Sequence, residues 1–415
     1  MKPVTIGLVG VGGYAARHLM CIEILQEEGV LDFRSVTIRS PKKYPAEVER
    51  LGKAGVTIRA SLDEMIETDG AALELIAVPT GINSHRPQMI QTVEAGFPLV
   101  LEKPSAATVQ DVDAMIAAQE ATGKFCQIGF QSQSCPVVRG LKRRICEGRL
   151  GRIEEVVVTG LWKRSNKYYE RNPWAGKYAE GDDYILDGTI NNPFAHQLFN
   201  ALYYASPEWG HATEPVSVRA ELYHANDIES EDTSAVEVFT RNGARILLFA
   251  TLTAQQVQNP MIEIIGDKAR AVYCSDGWAK IYDGEAVAEE IDTPEDVDSR
   301  VKACRNVVET FRNAADYLRG IDSELNCPIA MTRPHVAAVN GAFESVRRPI
   351  PVPADAIECI QEPESDETSV HIKDIEAVIH RAAAQRKLFS DLGVPWAKAT
   401  QPFSVENYKT FSLRL

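Results

Sequence analysis

One lysine that closely follows a short apolar run is a candidate for acid–base chemistry. The run ends at Leu101, and Glu102-Lys103-Pro104 follows it. If the run is a strand of a parallel sheet, Lys103 lies at the carboxyl end, where such sheets bind ligands. A lysine desolvated there has a lowered pKa and can serve as a general acid or base. A solvated lysine that merely ends a strand is the alternative, and Pro104 is a candidate for a cis peptide bond.

A glycine-rich turn near the start of the chain could bind a dinucleotide. The apolar run Val4–Val9 predicts a buried strand, and the pattern G-x-G-x-x-A follows it before a helical pattern. Gly10 would allow the tight turn, Gly12 would let the backbone approach a pyrophosphate, and Ala15 would let helix and strand pack closely. The pyrophosphate would sit on the helix N-terminus, where free N–H groups favour an anion. A plain strand–helix turn is the alternative. The expected cofactor contacts in this turn are Gly10, Gly12, Gly13, Tyr14 and Ala15.

A loop of unusual composition could bind a polyhydroxylated or anionic ligand. Residues 162–177 combine aromatic rings, cations and amides. Aromatic rings can lie against C–H faces, while charged and amide groups can bond hydroxyls or carboxylates. A decorated surface loop or an oligomer contact is the alternative. The side chains expected to contact the substrate are Arg164, Tyr169, Arg171, Asn172 and Trp174.

The first 125 residues must form the elements that position the lysine and the glycine turn. Strand patterns alternate there with helical patterns, notably at 86–95 and 109–121. The alternation predicts an α/β fold with a doubly wound parallel sheet of the Rossmann type, and therefore a dinucleotide-binding domain over residues 1–125. The strand patterns span 4–9, 33–38, 73–78, 98–101 and 125–129.

After Phe130 the pattern changes to long strands with few helices between them. Several strands, such as 234–240, alternate apolar and polar residues, as in a sheet with one solvated face. We predict an α+β domain over residues 126–360 with a large, mostly antiparallel open sheet. An acidic linker at 361–367 and a helix at about 370–388 would form a C-terminal tail over residues 361–415. The apolar stripe of that helix predicts that it packs on the body of the protein or on a neighbouring subunit.

Composition and charge exclude several classes of protein. The 415 residues carry a net charge of −14, so nucleic acid is not expected as a partner, because a duplex binder needs a basic face. No stretch approaches the roughly 20 apolar residues of a membrane span, and no signal peptide is expected. The eight scattered cysteines lack a C-x-x-C pair. They indicate reduced thiols of a cytoplasmic protein, and no metal site is expected.

Taken in order, the motifs resemble one known family of nicotinamide-dependent oxidoreductases, the glucose–fructose oxidoreductase, inositol dehydrogenase and MocA family. The resemblance covers roughly residues 1–350. It implies an N-terminal Rossmann domain, a C-terminal sheet domain whose open face often mediates dimers or tetramers, and sugar-like or cyclitol substrates. It also implies that Lys103 is catalytic and that Pro79, Thr80, His85 and Glu102 lie at the cofactor. The motifs that carry it are Gly10-Val-Gly12, Ala77-Val-Pro-Thr80 with His85, Glu102-Lys103-Pro104, Gly129-Phe130-Gln131 and Gly148-Arg-Leu-Gly151.

The family's second catalytic motif, D-x-G-x-H, is only partly matched. Asp187 matches the aspartate, but Asn191 stands where the family has histidine, and an amide cannot exchange protons at neutral pH. His196 follows five residues later. Either His196 takes over the proton relay, which we favour, or Lys103 and Asp187 act alone. A histidine satisfied within the core is the plain alternative. Asn191 then remains as a candidate substrate contact.

The second strand predicts which nicotinamide cofactor is bound. An acidic residue at the end of that strand would bond the ribose hydroxyls and indicate NAD. Asp32 has the right distance from Gly12 but falls before the predicted strand, which ends instead in Arg39-Ser40. A cation and a hydroxyl suit a 2′-phosphate, so the sequence favours NADP(H) over NAD(H). A solvated basic turn is the alternative.

Three functions remain open from the sequence. The first is a dehydrogenase that transfers hydride between NAD(P) and a sugar, cyclitol or related polyol, with Lys103, Asp187 and His196 as proton relay. The second is a glycoside-cleaving enzyme of the same scaffold that oxidises and re-reduces its substrate. The third is a nicotinamide-binding sensor without catalysis, a possibility that the missing histidine at 191 keeps open. A homodimer or homotetramer is expected.

Overall fold

The computed structural model describes residues 2–293, 299–363 and 365–414. These form two compact units, each with its own sheet. Unit 1 consists of Met1–Ala106, Asp111–Cys135 and Pro294–Thr332, and unit 2 of Ala107–Gln110, Pro136–Thr293 and Arg333–Leu415. Unit 1 thus extends past the boundary predicted at residue 125 and includes a later segment. That segment contains a helix whose apolar side chains pack into the core of the first sheet. The tail predicted over 361–415 is part of unit 2.

In the described residues the chain forms twenty strands and eleven α-helices. The strands are β1 (Val4–Val9), β2 (Leu31–Thr37), β3 (Thr57–Arg59), β4 (Leu75–Val78), β5 (Leu99–Leu101), β6 (Cys126–Ile128), β7 (Ile153–Lys163), β8 (Ala179–Glu180), β9 (Asp183–Tyr184), β10 (Pro215–His224), β11 (Thr233–Thr240), β12 (Arg245–Thr251), β13 (Thr253–Gly266), β14 (Arg270–Cys274), β15 (Trp278–Asp283), β16 (Ala286–Asp292), β17 (Ile350–Pro351), β18 (Ile357–Gln361), β19 (Thr368–Ile372) and β20 (Phe403–Ser404). The helices are α1 (Ala15–Glu27), α2 (Pro45–Lys53), α3 (Leu62–Asp69), α4 (Ile82–Glu94), α5 (Val109–Thr122), α6 (Pro136–Cys146), α7 (Asn166–Glu170), α8 (Ala195–Ala205), α9 (Ser299–Leu318), α10 (Arg333–Val346) and α11 (Ile375–Gln385).

Unit 1 is built on a six-stranded parallel sheet in the order β3-β2-β1-β4-β5-β6. Every residue of β1 and β4 is buried, as expected for strands covered on both faces. The strand order reverses between β1 and β4, and a crevice at such a switch point is where doubly wound sheets bind ligands. The Rossmann-type fold predicted from the sequence is confirmed.

One face of this sheet is covered by two helices that are far apart in sequence. Ile22 and Leu25 of α1 belong to the same buried cluster as Val308 and Phe311 of α9 and Ile6 of β1. Burying side chains of this size contributes about 1.5–3 kcal/mol each, so this contact is a substantial part of the stability of unit 1. It explains why α9 belongs to unit 1 although it follows most of unit 2 in the sequence.

Unit 2 contains a ten-stranded sheet in the order β16-β15-β14-β13-β7-β12-β11-β10-β17, with β20 paired to β10. The pairs β7–β12 and β10–β17 are parallel and the others are antiparallel. The large, mostly antiparallel sheet predicted for the second half of the chain is therefore confirmed.

Alternate residues of the central strand β7 face different partners. A Cβ at Gly160 would lie 2.1 Å from the ring of Phe194, so the absence of a side chain lets the start of α8 lie directly on the strand. Val157 and Leu161, on the opposite face, belong to a buried cluster with Ile375 and Ile379 of α11. The sheet of unit 2 is thus covered on both faces.

The C-terminal region differs from its prediction. Residues predicted as an acidic linker and the start of a helix instead form an antiparallel hairpin of β18 and β19, and the helix begins only at Ile375. Residue 364, within the predicted linker, lies outside the described residues. The predicted packing on the body is found, since α11 covers a face of the sheet. A subunit contact through this part of the face would have to displace the chain's own tail.

No helix among the described residues combines the length and the apolar character needed to cross a membrane.

Candidate functional site

The glycine turn after β1 in unit 1 has the backbone of a tight turn. Gly10 and Gly13 have φ angles of 87° and 58°, in a region that residues with a Cβ rarely adopt. The N–H of Gly10 contacts both the carbonyl oxygen and the hydroxyl oxygen of Thr37, at 3.0 and 3.1 Å. The first turn of α1, which begins at Ala15, contains no acidic side chain. The N–H groups of Ala15, Ala16 and Arg17 donate to the carbonyl oxygens of Gly12, Gly13 and Tyr14, so an anion here would be favoured by the positive end of the helix dipole.

One side of this turn is covered and the other is open. A Cβ at Gly12 would lie 2.0 Å from the hydroxyl oxygen of Tyr44, which packs against the turn. At Gly13, no described atom lies within 4 Å of the position that a Cβ would take, and Tyr14 is 42% exposed. The open backbone at a helix N-terminus fits the pyrophosphate of a dinucleotide, with Gly13 and Tyr14 on the accessible side.

The segments after β4 and β5 lie at the same edge of the sheet as the glycine turn. Leu8 pairs with Ala77, and Val78 pairs with Leu101, so the parallel strands end side by side. Pro79 is buried, whereas Thr80 is partly exposed and donates its hydroxyl proton to Gln88 at 2.7 Å. Lys103 is also partly exposed, and the Lys103–Pro104 peptide bond is cis, as anticipated.

His85 supports this edge from inside the protein. Its Nδ1 lies 2.8 Å from the carbonyl oxygen of Pro104, and its Nε2 lies 3.1 Å from that of Thr80. Burial lowers the pKa of the imidazole, so it is neutral and donates only one proton to these two acceptors. Both nitrogens of His85 face protein carbonyls. The cofactor contact expected at His85 stays a prediction.

Glu102 is held by a partner that the sequence did not reveal. Its Oε1 lies 2.9 Å from Nε2 of His18, and both side chains are buried. Its Oε2 accepts a hydrogen bond from the backbone N–H of Lys103 at 3.0 Å. A Cβ at Gly129 would lie 2.6 Å from Oε1, so the glycine leaves room for the carboxylate. Glu102 thus connects α1, β5 and β6, and fixes the backbone that carries Lys103.

Beyond β2, the residues expected to select the cofactor are available for a ligand. Arg39 is exposed and Ser40 is partly exposed. Among the described residues no carboxylate pairs with Arg39. Asp32 is the second residue of β2 rather than a residue before it, and it pairs with Arg34. It therefore lies near the amino end of that strand, away from the edge that carries the glycine turn.

In unit 2, Asp187 is buried, and neighbouring residues of the same unit donate hydrogen bonds to both of its carboxylate oxygens. Oδ2 accepts from Nη2 of Arg171 and from the N–H of Gly176, both at 2.8 Å, and Oδ1 accepts from Nδ2 of Asn192 at 2.6 Å. Leu186 has φ of 52°, a conformation that costs a leucine of order 1 kcal/mol. The N–H of Leu186 donates to Tyr178, which helps to hold this conformation.

The other predicted residues of unit 2 differ in burial and in their hydrogen-bond partners. Asn191 is buried, donates to the carbonyl oxygen of Ile185 at 3.3 Å, and has no hydrogen-bond partner for Oδ1 within the described part of the chain. His196 is the second residue of α8 and is partly exposed. Asn172 accepts the backbone N–H of Trp174 at 3.1 Å and so shapes the loop. Lys103 belongs to unit 1, so its relay with Asp187 and His196 stays a prediction.

The family assignment rests on matches to both parts of the chain. Residues 4–130 match the oxidoreductase family with NAD-binding Rossmann fold, GFO_IDH_MocA, and residues 138–272 match the GFO/IDH/MocA C-terminal domain. Together the two matches cover more than half of the sequence. The chain belongs to the GFO/IDH/MocA family. The resemblance stated from its motifs is confirmed.

Several relatives of this GFO/IDH/MocA chain are named inositol dehydrogenases. Inositol 2-dehydrogenase of Azotobacter vinelandii is 30% identical over 148 residues, which are 35% of this chain and 42% of that protein. Inositol 2-dehydrogenase of Pseudomonas savastanoi pv. phaseolicola is 23% identical over 271 residues, 64% of this chain and 73% of that protein. The alignment with the first of these therefore spans less than half of the relative's length.

Solved structures share the fold of this family member at low identity. The WlbA dehydrogenase of Bordetella pertussis, in complex with NADH and UDP-GlcNAcA, has a TM-score of 0.67 and 22% identity, with 83% of this chain and 97% of that chain covered. A levoglucosan dehydrogenase in complex with NADH and levoglucosan has the same TM-score, 16% identity and the same coverage.

A further buried carboxylate of this family member was not predicted from the sequence. Glu231 is fully buried beneath the residues that follow Asp187. Its Oε1 accepts from the hydroxyl of Thr189 at 3.2 Å and from the N–H of Ile190 at 3.3 Å. A Cβ at Gly188 would lie 1.9 Å from Oε2, so the glycine is required by the carboxylate below it. Burial outweighs these hydrogen bonds and raises the pKa of Glu231 to about 7.

Proposed function

We propose that this chain is a nicotinamide-dependent oxidoreductase that moves hydride between the cofactor and a polyhydroxylated substrate such as a sugar or cyclitol. The observation that carries the proposal is that the glycine turn follows β1 and the Glu102–Pro104 segment follows β5, the two strands that flank β4, so both lie at one edge of the sheet. The family match and the inositol dehydrogenases among the relatives support it. When bound, the cofactor supplies the hydride donor or acceptor.

The chain's own residues would bind, orient and move a proton. The turn at Gly10–Ala15 would hold the pyrophosphate. The amine of Lys103 would take the proton of the substrate hydroxyl during oxidation and return it during reduction. Glu102 supports this role, because its hydrogen bond with the N–H of Lys103 fixes the backbone there. Asp187, with His196, would complete the relay from unit 2.

NADP(H) is the cofactor that we propose for this chain, although one relative is named with NAD(+). The exposed guanidinium of Arg39 and the partly exposed hydroxyl of Ser40 follow β2, where a 2′-phosphate would lie. Asp32, the acidic residue with the right spacing for NAD, lies at the other end of that strand. The cytoplasm as its location and a homo-oligomer as its state are further proposals.

A panel of cyclitols, sugars and sugar acids, assayed with NAD and NADP, tests the proposal. Net formation of reduced cofactor supports the dehydrogenase. Product without net change in the cofactor would indicate the glycoside-cleaving alternative instead. Cofactor binding without turnover on any compound would favour a sensor, the alternative that the buried Asn191 in place of the family's histidine supports.

A further inference from the structure

The predicted substrate loop contains a cluster in which cations and aromatic rings alternate. We call Trp162, Arg164, Tyr168, Arg171 and Trp174 the arginine–aromatic cluster. The Arg164 guanidinium carbon lies 4.8 Å from the Trp162 ring centroid and 5.0 Å from that of Tyr168. The Arg171 guanidinium carbon lies 3.9 Å from the Tyr168 centroid and 5.2 Å from that of Trp174. The ring of Tyr168 therefore contacts both arginines.

The two arginines differ in their counter-charge. Arg171 pairs with Asp187 at 2.8 Å. The lysines of the same loop are paired as well: Lys163 with Glu362, Lys167 with Asp366 and Lys177 with Glu229. In the described part of the chain, no carboxylate lies within ion-pair distance of Arg164. This guanidinium is thus the cation of the loop that lacks a counter-charge, in a chain whose net charge is −14.

Arg164 also carries a buried donor without an acceptor. Its Nη1 donates to the backbone carbonyl of Lys163 at 3.0 Å, but its Nε is buried and has no hydrogen-bond partner among the described residues. A buried N–H of a charged group left without a partner is destabilising, because its desolvation is not compensated. Contacts with aromatic faces offset only part of that cost. Such a group is satisfied when an anion binds to it.

We propose that Arg164 binds a carboxylate of the substrate, so that the substrate is a sugar acid or another polyhydroxy acid. This inference rests on the proposed function, because it assigns a substrate class to the same site. A single uncompensated guanidinium matches the charge of one carboxylate, whereas a phosphate monoester carries about −1.5 to −2. Arg164 and Arg171 contact the same tyrosine ring, and Arg171 pairs with Asp187, the residue of unit 2 that we propose for the relay.

Matched pairs of ligands test the carboxylate directly. D-glucuronate and D-glucose, D-galacturonate and D-galactose, and D-mannuronate and D-mannose each differ only in the oxidation of C6. Titration calorimetry on the full chain with NADP present should show at least one acid binding about 10-fold or more tightly than its neutral partner. D-glucose 6-phosphate serves as the phosphate arm. If no acid binds more tightly than its partner, or if the phosphate is preferred to every acid, the assignment is wrong.

Two variants separate recognition from a structural role of Arg164. Arg164→Met should lower the affinity for the acid by about 10-fold or more and so abolish its preference over the neutral partner. Arg164→Lys keeps the charge and should retain part of the preference. An acid preference that survives in Arg164→Met overturns the proposal, provided that urea unfolding shows the variant to be folded. Calorimetry measures binding and not turnover. An acid preference without turnover would therefore contradict the proposed oxidoreductase activity but not the carboxylate assignment, so the two failures can be distinguished.

Discussion

Oδ2 of Asp187 accepts a hydrogen bond from Nη2 of Arg171 at 2.8 Å, and the side chain of Asp187 is 1% exposed whereas that of Arg171 is 25% exposed. The carboxylate of Asp187 is thus a buried anion, and the partly exposed guanidinium of Arg171 balances its charge. Removing one partner of a buried pair leaves an unpaired charge, which is far more costly than the pair itself is favourable.

Arg171→Met should therefore destabilise unit 2 by roughly 3 kcal/mol, in line with the loss of a partner from a buried ion pair. Urea unfolding followed by tryptophan fluorescence measures the change. Arg171→Lys is the matched control and should lose less, because it keeps the charge but not the planar donor geometry. An unchanged unfolding midpoint in Arg171→Met would show that Gly176 and Asn192 alone satisfy Asp187.

Lys103→Ala should lower kcat by about 10²–10⁴-fold, the usual contribution of a general acid or base. The dissociation constant of the cofactor should change little, because the turn at Gly10–Ala15 is untouched. Fluorescence titration with the reduced cofactor checks this separately from turnover. Lys103→Arg keeps a cation that cannot release its proton near neutral pH, so it should be almost as inactive. Full activity in Lys103→Ala would contradict the proposed role.

The sequence predicted the two sheets well because their strands are either uniformly apolar or regularly alternating. Val4–Val9 is an example of the first kind and is buried throughout. β3, with only Thr57–Arg59, was not predicted, since three residues of mixed polarity show no period. The hairpin of β18 and β19 was predicted as linker and helix. Its strands are defined by pairing with each other, and Ile372 happens to continue the helical spacing of Ile375 and Ile379.

The candidate site was predicted where it consists of local motifs and not where it depends on long-range contacts. The glycine turn and Lys103 can be read from adjacent residues. His18 binds Glu102 across 84 positions of sequence, and Glu231 reaches Ile190 across 41. Buried carboxylates are rare, so nothing in the sequence pattern predicted that Glu231 is buried. The signal that could have revealed His18 is its position on the apolar face of α1.

Two causes could require a glycine at position 12: the packing of Tyr44 against the turn and the approach of the pyrophosphate to the backbone. Two variants can separate them. Gly12→Ala places a methyl group where the Tyr44 side chain lies, and we expect weaker cofactor binding and lower stability. The double variant Gly12→Ala/Tyr44→Ala removes that overlap and should recover much of the stability lost in Gly12→Ala. If the pyrophosphate also needs the bare backbone, cofactor affinity stays low in the double variant. Recovery of affinity would show that only Tyr44 requires the glycine.

Arg39→Ala should reduce the affinity for NADP by about 10-fold to 100-fold and leave that for NAD nearly unchanged, since a charge-assisted hydrogen bond contributes roughly 1.5–3 kcal/mol. Lys42→Ala, an exposed cation on the same basic turn, is the matched control and should have a smaller effect. Fluorescence titration with each reduced cofactor gives both constants. Equal loss of both affinities would contradict the assignment of Arg39 to a 2′-phosphate, and so would wild-type protein that binds NAD as tightly as NADP.

Glu231 should make the stability of the protein fall as pH rises through the range in which it ionises. Its pKa is about 7 in the folded chain against an ordinary 4.5, because burial disfavours the carboxylate. Between pH 4.5 and 7 the carboxyl is protonated in the folded state and ionised in the unfolded state. Its contribution to the stability of the fold therefore decreases as pH rises over that interval. The difference between the two pKa values corresponds to at most roughly 3 kcal/mol of stability.

The variant Glu231→Gln keeps the shape of the side chain but does not titrate. Its free energy of unfolding relative to wild type should therefore rise from pH 4.5 to 7 and then level off. Urea unfolding at a series of pH values measures this, and a difference between the two proteins that does not vary with pH would mean that folding does not raise the pKa of Glu231.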